Sequence, residues 1–381
     1  MNINDIKMKI THAMDYETLV HFSHTDLDGY GCHLVSRKLA LNGSTSMPMT
    51  YNSDDLGEKF QEFFEKSVRL IMSNSGHMTF LITDIGEINL IELAEKFANY
   101  DIDVIIVDHH IISNHDKVGT SVTTDEETGL DIYTVSVPSN NMFVYIHSTA
   151  HSATWNYAQI LGLTKHNEFH WISEYDCGRW GEWRLDKDHT PSEMVRMNQA
   201  LQIIKSAYSG DKDSVILHHL AAYAAYLADR RCSTEVESYG KLLDFTVNAK
   251  CAENTRLYNK WLKNLDVVML NHYSYTFTVG SDTDCEKRVE VKFPEDPVYL
   301  GKWAIIVQEE KDEGPFSMYS KQYLEDHPDV KGIIKYTPNF KDIVSFRSAS
   351  DEVDVSKIAV LNGGGGHPRA AGFMAKPEIL M

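Results

Sequence analysis

Three short apolar runs, at residues 19–22, 80–83 and 104–107, alternate with amphipathic stretches over the first part of the chain. That alternation constrains the fold more than any other feature. A strand apolar along its whole length is buried on both faces, which is the signature of a parallel sheet covered by helices. The segment after the first run carries Leu34, Val35 and Leu39 at helical spacing. The next carries Leu56, Phe60, Phe63 and Phe64, with Ser53 placed as its N-cap. A further helix over 89–98 leads into the third run. The resulting β–α–β–α–β order predicts an α/β fold with a parallel, doubly wound N-terminal sheet. Residues 118–138 alternate polar and apolar around a Glu-Thr-Gly turn and predict a hairpin insertion.

From about 148 to 262 the pattern becomes helical, and β character returns at 267–270, 275–279, 289–291, 304–307, 333–336 and 343–346. With 381 residues, at ~100–200 per domain, the chain divides into about two or three parts. The expected parts are a sheet domain over 1–190, a helical linker over 191–265 and a smaller α/β domain over 266–381. Lys and Arg number 36 against 55 Asp and Glu, a formal charge of −19. Such a balance argues against a protein that coats long duplexes, because that affinity comes from neutralising phosphates. It leaves room for a small phosphorylated ligand in one basic pocket, and for metal ions drawn to surplus carboxylates. The five cysteines show no Cys-x-x-Cys spacing, so neither a zinc knuckle nor a secreted disulfide framework fits. No stretch approaches the ~18 apolar residues of a membrane span, and no signal-peptide core precedes the first strand. The expectation is a cytoplasmic protein with no membrane partner.

Acids and imidazoles gather where the predicted strands end. His24, Asp26 and Asp28 follow the first run, Asp84 the second, and Asp108, His109 and His110 the third; Asp176 comes later, in SEYDCGRW. In open parallel sheets ligands bind outside the carboxyl ends of the strands, so these side chains should converge in one crevice. Facing carboxylates repel unless protons or metals neutralise them. Imidazoles mixed with carboxylates, without thiolate, suit Mn²⁺, Mg²⁺ or Fe²⁺ better than structural zinc. Taken singly, each cluster has a plainer explanation. Asp-Leu-Asp-Gly in SHTDLDGYG makes a good turn, and Asp84 or Asp108 would serve as a helix N-cap. A Ca²⁺ loop starting at Asp26 is ruled out, because its twelfth position is Arg37 rather than an acid. Three strand ends carrying the same chemistry are harder to explain by turns and caps. The pair His218-His219, in an apolar helical run with no acid close by on the chain, is read as structural or surface.

A second signal lies near the C-terminus. In LNGGGGHPRAAGF, Gly363, Gly364, Gly365 and Gly366 are too costly in conformational entropy for ordinary strand or helix interior. Their amides can approach a ligand closely and form an anion nest. His367 and Arg369 add donors, and Arg347 in VSFRSAS offers a fork suited to phosphate. A flexible connector is the plain alternative; the flanking Ala370, Ala371, Gly372 and Phe373 favour a packed, ligand-facing loop.

SHTDLDGYG, TDIGE, VDHH, the later Asp176 and the terminal GGGGHPRAAG, in that order, resemble the DHH phosphoesterases with a DHHA1 C-terminal domain. Within that family the chain looks most similar to the small oligoribonuclease (nanoRNase) and nucleotide phosphodiesterase branch. The resemblance implies two metal ions, expected as Mn²⁺. One would be held by His24, Asp26 and Asp84, the other by Asp28, Asp84, His109 and Asp176, with Asp84 bridging. It further implies that Asp108 orients His109 as a partner behind the metal, and that His110 faces the scissile phosphate. Two such ions clamp the attacking and leaving oxygens of an in-line displacement.

The implied activity is hydrolysis of RNA of two to five nucleotides to nucleoside monophosphates, with the C-terminal domain holding one end of the substrate. A pAp phosphatase or cyclic (di)nucleotide phosphodiesterase would use the same groups. A nucleotide sensor that has lost turnover is the rival from another class; it would show degenerate ligand positions, and none is seen. The expected partners are short RNA or a small nucleotide, with a second copy of the chain permitted as a homodimer.

Overall fold

β1 (Thr18–His24) is the pivot of the first sheet: β2 (Met47–Tyr51) lies parallel on one side of it and β3 (Met78–Thr83) parallel on the other. The computed structural model describes residues 2–39, 47–52, 58–72, 76–86, 88–110, 120–209, 213–228, 233–280, 286–308, 315–339, 341–350 and 352–380. The chain separates into two compact units, Met1–Cys251 and Ala252–Met381.

The first unit opens with α1 (Ile3–Tyr16), capped reciprocally by Asn2 and Asp5, and enters β1. α2 (Leu27–Leu39) leads to β2, and α3 (Glu58–Met72) returns to β3. α4 (Leu90–Phe97), capped by Asn89, leads to β4 (Ile102–Asp108). The predicted hairpin is present as β5 (Ser121–Thr124) and β6 (Asp131–Thr134), and β7 (Phe143–His147) completes the order β2-β1-β3-β4-β7-β6-β5. The first five strands in that order are parallel and the hairpin is antiparallel. Crossing from β2 back past β1 to β3 makes a switch point, and a crevice, between β1 and β3.

Because strand side chains alternate, one face of this sheet presents Val20, Phe22, Phe80, Ile82, Val104 and Ile106 to α3 and α4, where Phe60, Phe64, Leu93 and Phe97 complete the core. The other face carries His21, Thr83 and Val107, all buried on the side of α2. α5 (Ala153–Leu161), α6 (Asn167–Asp176), α7 (Glu193–Ala207) and α8 (Asp213–Leu227) follow. α9 (Thr234–Lys263) runs across the division between the units.

Two local readings change. SHTDLDGYG is only briefly a loop, because α2 begins at Leu27 and takes Gly29 and Gly31 into its first turns. A Cβ on Gly29 would lie 2.1 Å from the His24 carbonyl oxygen, and one on Gly31 2.2 Å from Thr154 Oγ1. These glycines are there for close packing rather than for a turn. β2 and β7 add strands that the apolar pattern does not reveal: Pro48 breaks the pattern of one, and the other merges into the helical run that follows.

The second unit contains a six-stranded sheet, in which β8 (Asp266–Leu270), β11 (Gly301–Val307), β12 (Val330–Thr337), β13 (Ile343–Ser348), β14 (Gly365–His367) and β15 (Ala370–Met374) are ordered β14-β15-β13-β12-β11-β8. β9 (Ser274–Gly280), β10 (Glu286–Lys292) and β16 (Glu378–Leu380) form a three-stranded sheet. α10 (Phe316–Asp326) and α11 (Val355–Leu361) complete the unit, whose core gathers Phe277, Trp303, Tyr336, Phe346 and Phe373. Among the described residues Cys32, Cys177 and Cys251 form no disulfide; Cys232 and Cys285 lie outside the described residues. No helix among the described residues is long and apolar enough to cross a membrane.

Candidate metal centre

The carboxyl ends of β1, β3 and β4 bring the expected acids and imidazoles together. Three overlapping groups each place their ligand atoms within 4.8 Å of one another: His24, Asp26 and Asp84; Asp28, His109 and Asp176; and Asp84, Asp108, His109 and His110. Asp84 and His109 each belong to two groups, so the cluster is continuous.

Each side chain is aimed by its surroundings. His24 Nδ1 hydrogen-bonds with Asp26 Oδ2 at 2.9 Å, and the Gly29 N–H donates to Asp26 Oδ1 at 3.0 Å. Asp28 is buried and accepts from two amides at the start of α5, Ala153 N–H (2.8 Å) and Thr154 N–H (3.0 Å). A helix N-terminus is a favourable partner for a carboxylate. Asp84 follows β3 with φ +56°, a left-handed backbone that a non-glycine residue adopts only when its surroundings enforce it. Its Oδ1 lies 3.3 Å from His109 Nε2. The same imidazole nitrogen is 3.5 Å from Asp176 Oδ2 and 3.7 Å from Asp28 Oδ2.

The electrostatics show what the cluster lacks. Burial drives the Asp84 carboxyl well above the usual carboxylate range, and the charges of Asp26, Asp28 and Asp176 push it further. Burial and the charges of Asp28 and Asp26 raise Asp176 to about 8. Asp26 goes the other way: burial opposes its charge, but the hydrogen bond and charge of His24 prevail and hold it at about 2. Asp84 Oδ2 is buried without a hydrogen-bond partner. Among the described residues no Lys or Arg pairs with Asp26, Asp28, Asp84 or Asp176. Crowded carboxylates, neutral-capable imidazoles and an orphaned oxygen at the centre fit divalent cations with oxygen and nitrogen ligands.

One expected contact differs. The Asp108 carboxylate takes only the main-chain N–H of His109 (2.7 Å), and its side-chain partner is His110 Nδ1, at 2.8 Å. Asp108 therefore orients His110 rather than the His109 ring. Its buried carboxylate also accepts from Tyr145 Oη (3.1 Å), while Asn156 Nδ2 donates to the Asp108 carbonyl (3.1 Å). Although burial disfavours the His110 cation, the hydrogen bond and charge of Asp108 raise its pKa to about 9. His147 Nε2 meets the His110 carbonyl at 2.6 Å. Tyr145, His147, Asn156 and the α5 N-terminus are supports that sequence reasoning misses. Only the last leaves a trace in the sequence, with Ser152 standing as the N-cap of α5.

In the second unit, the first two glycines of the run close α11. Gly363 has φ +84°, and its N–H and that of Gly364 donate to the Val360 and Ala359 carbonyls. Gly365 and Gly366 then enter β14, opposite Gly372 and Ala371 of β15, so half of the run is strand after all. Strand is tolerated because the neighbouring chain fills the space that side chains would take. A Cβ on Gly364 would meet the Gly372 carbonyl oxygen at 2.2 Å, and one on Gly366 the Ala371 Cα at 2.5 Å. Gly365 is different: a Cβ there would meet nothing within 4 Å. Arg347 pairs with Ala370 across β13 and β15, and Ala370 with His367 across β15 and β14, which places the three in one cross-strand row. The Arg347 guanidinium donates to Ser317 Oγ (3.0 Å) and the Phe346 carbonyl (2.8 Å). Arg369 is exposed in the turn between β14 and β15; the His367 side chain lies outside the described residues. His218 sits against Arg37, and His219 stacks on Tyr208; neither belongs to a metal-ligand group among the described residues.

No family model matches the chain, and no curated protein matches it by sequence. Solved structures do match. An uncharacterized protein from Helicobacter pylori G27 is 17% identical with a TM-score of 0.35, over 94% of this chain and 92% of that one. RecJ from Thermus thermophilus, in complex with Mn²⁺, is 15% identical with a TM-score of 0.44, over 98% of this chain but 52% of its own length. CDC45 from Entamoeba histolytica is 10% identical with a TM-score of 0.41, over 98% and 95%.

Proposed function

We propose that the chain is a divalent-metal phosphodiesterase that hydrolyses very short oligoribonucleotides to nucleoside monophosphates. The observation that carries this reading is the cluster of Asp26, Asp28, Asp84 and Asp176 with His24 and His109, joined through an Asp84 whose inner oxygen has no partner. His24, Asp26 and Asp84 would hold one ion and Asp28, Asp84, His109 and Asp176 a second; when bound, such ions supply Lewis acidity and an activated water for phosphoryl hydrolysis. Mn²⁺ is the expected ion, with Mg²⁺ or Fe²⁺ compatible with the donor set.

The chain's own residues supply the rest. Asp108 fixes the His110 ring through Nδ1, and that ring is 38% exposed above a fully buried carboxylate. His110 is thus placed to meet a phosphate oxygen or to give a proton to a leaving oxygen. In the second unit Arg347 offers a charge-assisted phosphate contact. The open space at Gly365 admits a ligand against the β14 backbone, which packing alone does not require. A net charge of −19 suits a short substrate held at one end better than a long strand in a basic channel.

The test is a side-by-side hydrolysis panel with Mn²⁺: labelled RNA dimers to heptamers, pAp, cyclic di-AMP, cyclic di-GMP and cyclic AMP. Preference for the shortest RNAs supports the reading, and preference for pAp or a cyclic nucleotide replaces it with that activity. No turnover of any substrate, nor of bis-p-nitrophenyl phosphate, points to a sensor. Arg347→Ala should lower kcat/KM for short RNA by roughly one to two decades while sparing bis-p-nitrophenyl phosphate. Equal loss on both substrates would remove the anchoring role.

A further inference from the structure

Beneath the metal ligands, on the α2 and α5 side of the sheet, a row of polar side chains is sealed inside the core. Tyr157 Oη of α5 and Ser36 Oγ of α2 hydrogen-bond at 3.0 Å. Ser36 Oγ meets His21 Nδ1 at 3.0 Å, and His21 Nε2 meets Thr83 Oγ1 at 2.9 Å. Thr83 is the last residue of β3, and the next residue is Asp84 in its left-handed conformation. A second arm, between α2 and α5, joins the Cys32 thiol to Thr154 Oγ1 (3.7 Å), which donates to the Asp28 carbonyl at 2.7 Å. Tyr157, His21, Thr83, Cys32 and Thr154 are fully buried, and Ser36 is nearly so.

Such a row is a poor way to fill a core. Apolar side chains of similar volume would pack there without the desolvation of hydroxyls and an imidazole. What a satisfied polar network provides instead is a single geometry, since each bond fixes the next. The two arms show where that geometry is spent: one ends at the residue before Asp84, the other at the main chain of Asp28. Both carboxylates belong to the proposed metal groups. His21 is the hub of the row, because it alone bonds α2 on one ring nitrogen and β3 on the other. Burial and the neighbouring His33 keep its pKa well below the ordinary value, so both nitrogens serve this neutral pairing.

We propose that His21 is a positioning residue of the metal centre, holding the end of β3 so that Asp84 keeps its aim; the inference rests on the metal reading above. Mn²⁺ titration calorimetry on the full chain tests it, alongside thermal unfolding without metal. His21→Leu and Thr83→Val should each weaken Mn²⁺ binding by about 10- to 100-fold, the range expected for partners behind metal ligands. Their metal-free midpoints should fall little or rise. His21→Gln, whose amide reaches the Nε2 position, should recover most of the affinity. The double variant His21→Leu/Thr83→Val should be no worse than His21→Leu alone, since both changes remove the His21–Thr83 bond.

Unaltered Mn²⁺ affinity in folded His21→Leu or Thr83→Val would overturn the inference, as would a loss that only tracks metal-free unfolding and that His21→Gln fails to repair. Should His21→Leu not fold, Thr83→Val, which keeps the side-chain shape, decides alone. A wild-type chain that binds no Mn²⁺ overturns the metal reading and this inference together; a wild type that binds, with variants that bind equally, overturns this inference only.

Discussion

At the amino ends of β1, β3 and β4, Glu17, Asp101 and Asp103 meet their own counterions. Lys9 Nζ lies 2.7 Å from Asp103 and 3.2 Å from Glu17, and His77 lies 2.7 Å from Asp101 and 3.0 Å from Asp103. At the carboxyl ends of the same strands, the partners of Asp26, Asp28, Asp84 and Asp176 among the described residues are imidazoles and backbone amides, with no Lys or Arg. The acids are of one kind and their solvent access overlaps, for Asp103 is as buried as Asp84. What differs is the ammonium. One end is closed by a cation encoded in the sequence; at the other no Lys or Arg among the described residues pairs with the acids, which is what the proposed divalent ions would complete. A cluster of acids is therefore informative only when its counterions have been traced.

The largest effect should come from the shared ligand. Asp84→Asn is expected to lower Mn²⁺-dependent turnover of bis-p-nitrophenyl phosphate by about three decades or more, since both ion sites lose their common anion. The same change relieves the repulsion from Asp26, Asp28 and Asp176, so the metal-free midpoint should rise by a few degrees. Asp101→Asn at the opposite end should leave turnover alone. An Asp84 variant that keeps more than about a few per cent of activity with its metal content intact contradicts the two-ion assignment.

Acid should separate the histidines next. His33 is buried and held at about 4 by loss of solvent, with only partial relief from the Met49 backbone and Asp213. Its folded pKa lies below the unfolded value near 6.5, so its contribution is intact above ~6.5 and is lost as pH falls toward 4, by about 3 kcal/mol. His77 has the opposite sign. Burial opposes its charge, but Asp101 and Asp103 raise its pKa, so its contribution is present below ~6.5 and fades as pH rises. Denaturant unfolding from pH 8 to 4 should therefore show an acid limb that His33→Leu flattens. His77→Gln should destabilise more at pH 6 than at pH 8. Parallel curves for the two variants would remove the distinction.

Metal itself should act on one end only. At about a hundred times its dissociation constant, Mn²⁺ should add roughly 2.7 kcal/mol to unfolding stability. Asp28→Asn should reduce that gain, whereas Asp103→Asn should lower stability with and without Mn²⁺ alike. A gain unaffected by Asp28→Asn would place the ion elsewhere.

One side of this contrast is legible in the amino-acid sequence and the other is not. The apolar runs mark the parallel strands, and their ends mark His24, Asp84 and Asp108-His109-His110, because the carboxyl end of a parallel strand is fixed by direction alone. The amino-end cluster is invisible in sequence, since Lys9 comes from α1 and His77 from the turn before β3, and only packing joins them. The Asp108–His110 pairing is equally hidden: neighbours on a chain can satisfy a carboxylate through backbone or ring, and the sequence does not choose. The glycine run misleads in part for a related reason. Entropy argues against strand at Gly365 and Gly366, but the close approach of β15 overrules it at Gly366, while Gly365 is left open.

The smallest effect, and the one that probes the amino end directly, should come from Lys9→Met. The stem of Lys9 is largely covered, so Met keeps most of its packing while the ammonium is removed. Asp103 would not be stranded altogether, because Met142 N–H donates to it at 2.5 Å and His77 remains within 3.0 Å. The cost therefore falls between that of an exposed pair and that of a fully buried one, about 1–2 kcal/mol, or a midpoint lower by roughly 2–4 °C. It should be larger at pH 8 than at pH 6, since a protonated His77 takes over part of the missing charge and a neutral one cannot. Turnover of bis-p-nitrophenyl phosphate should not change, because the carboxyl-end cluster draws nothing from Lys9. A drop in turnover with unaltered stability would mean the two ends are coupled through the strands, and the contrast between a self-neutralised end and a metal-seeking end would no longer hold.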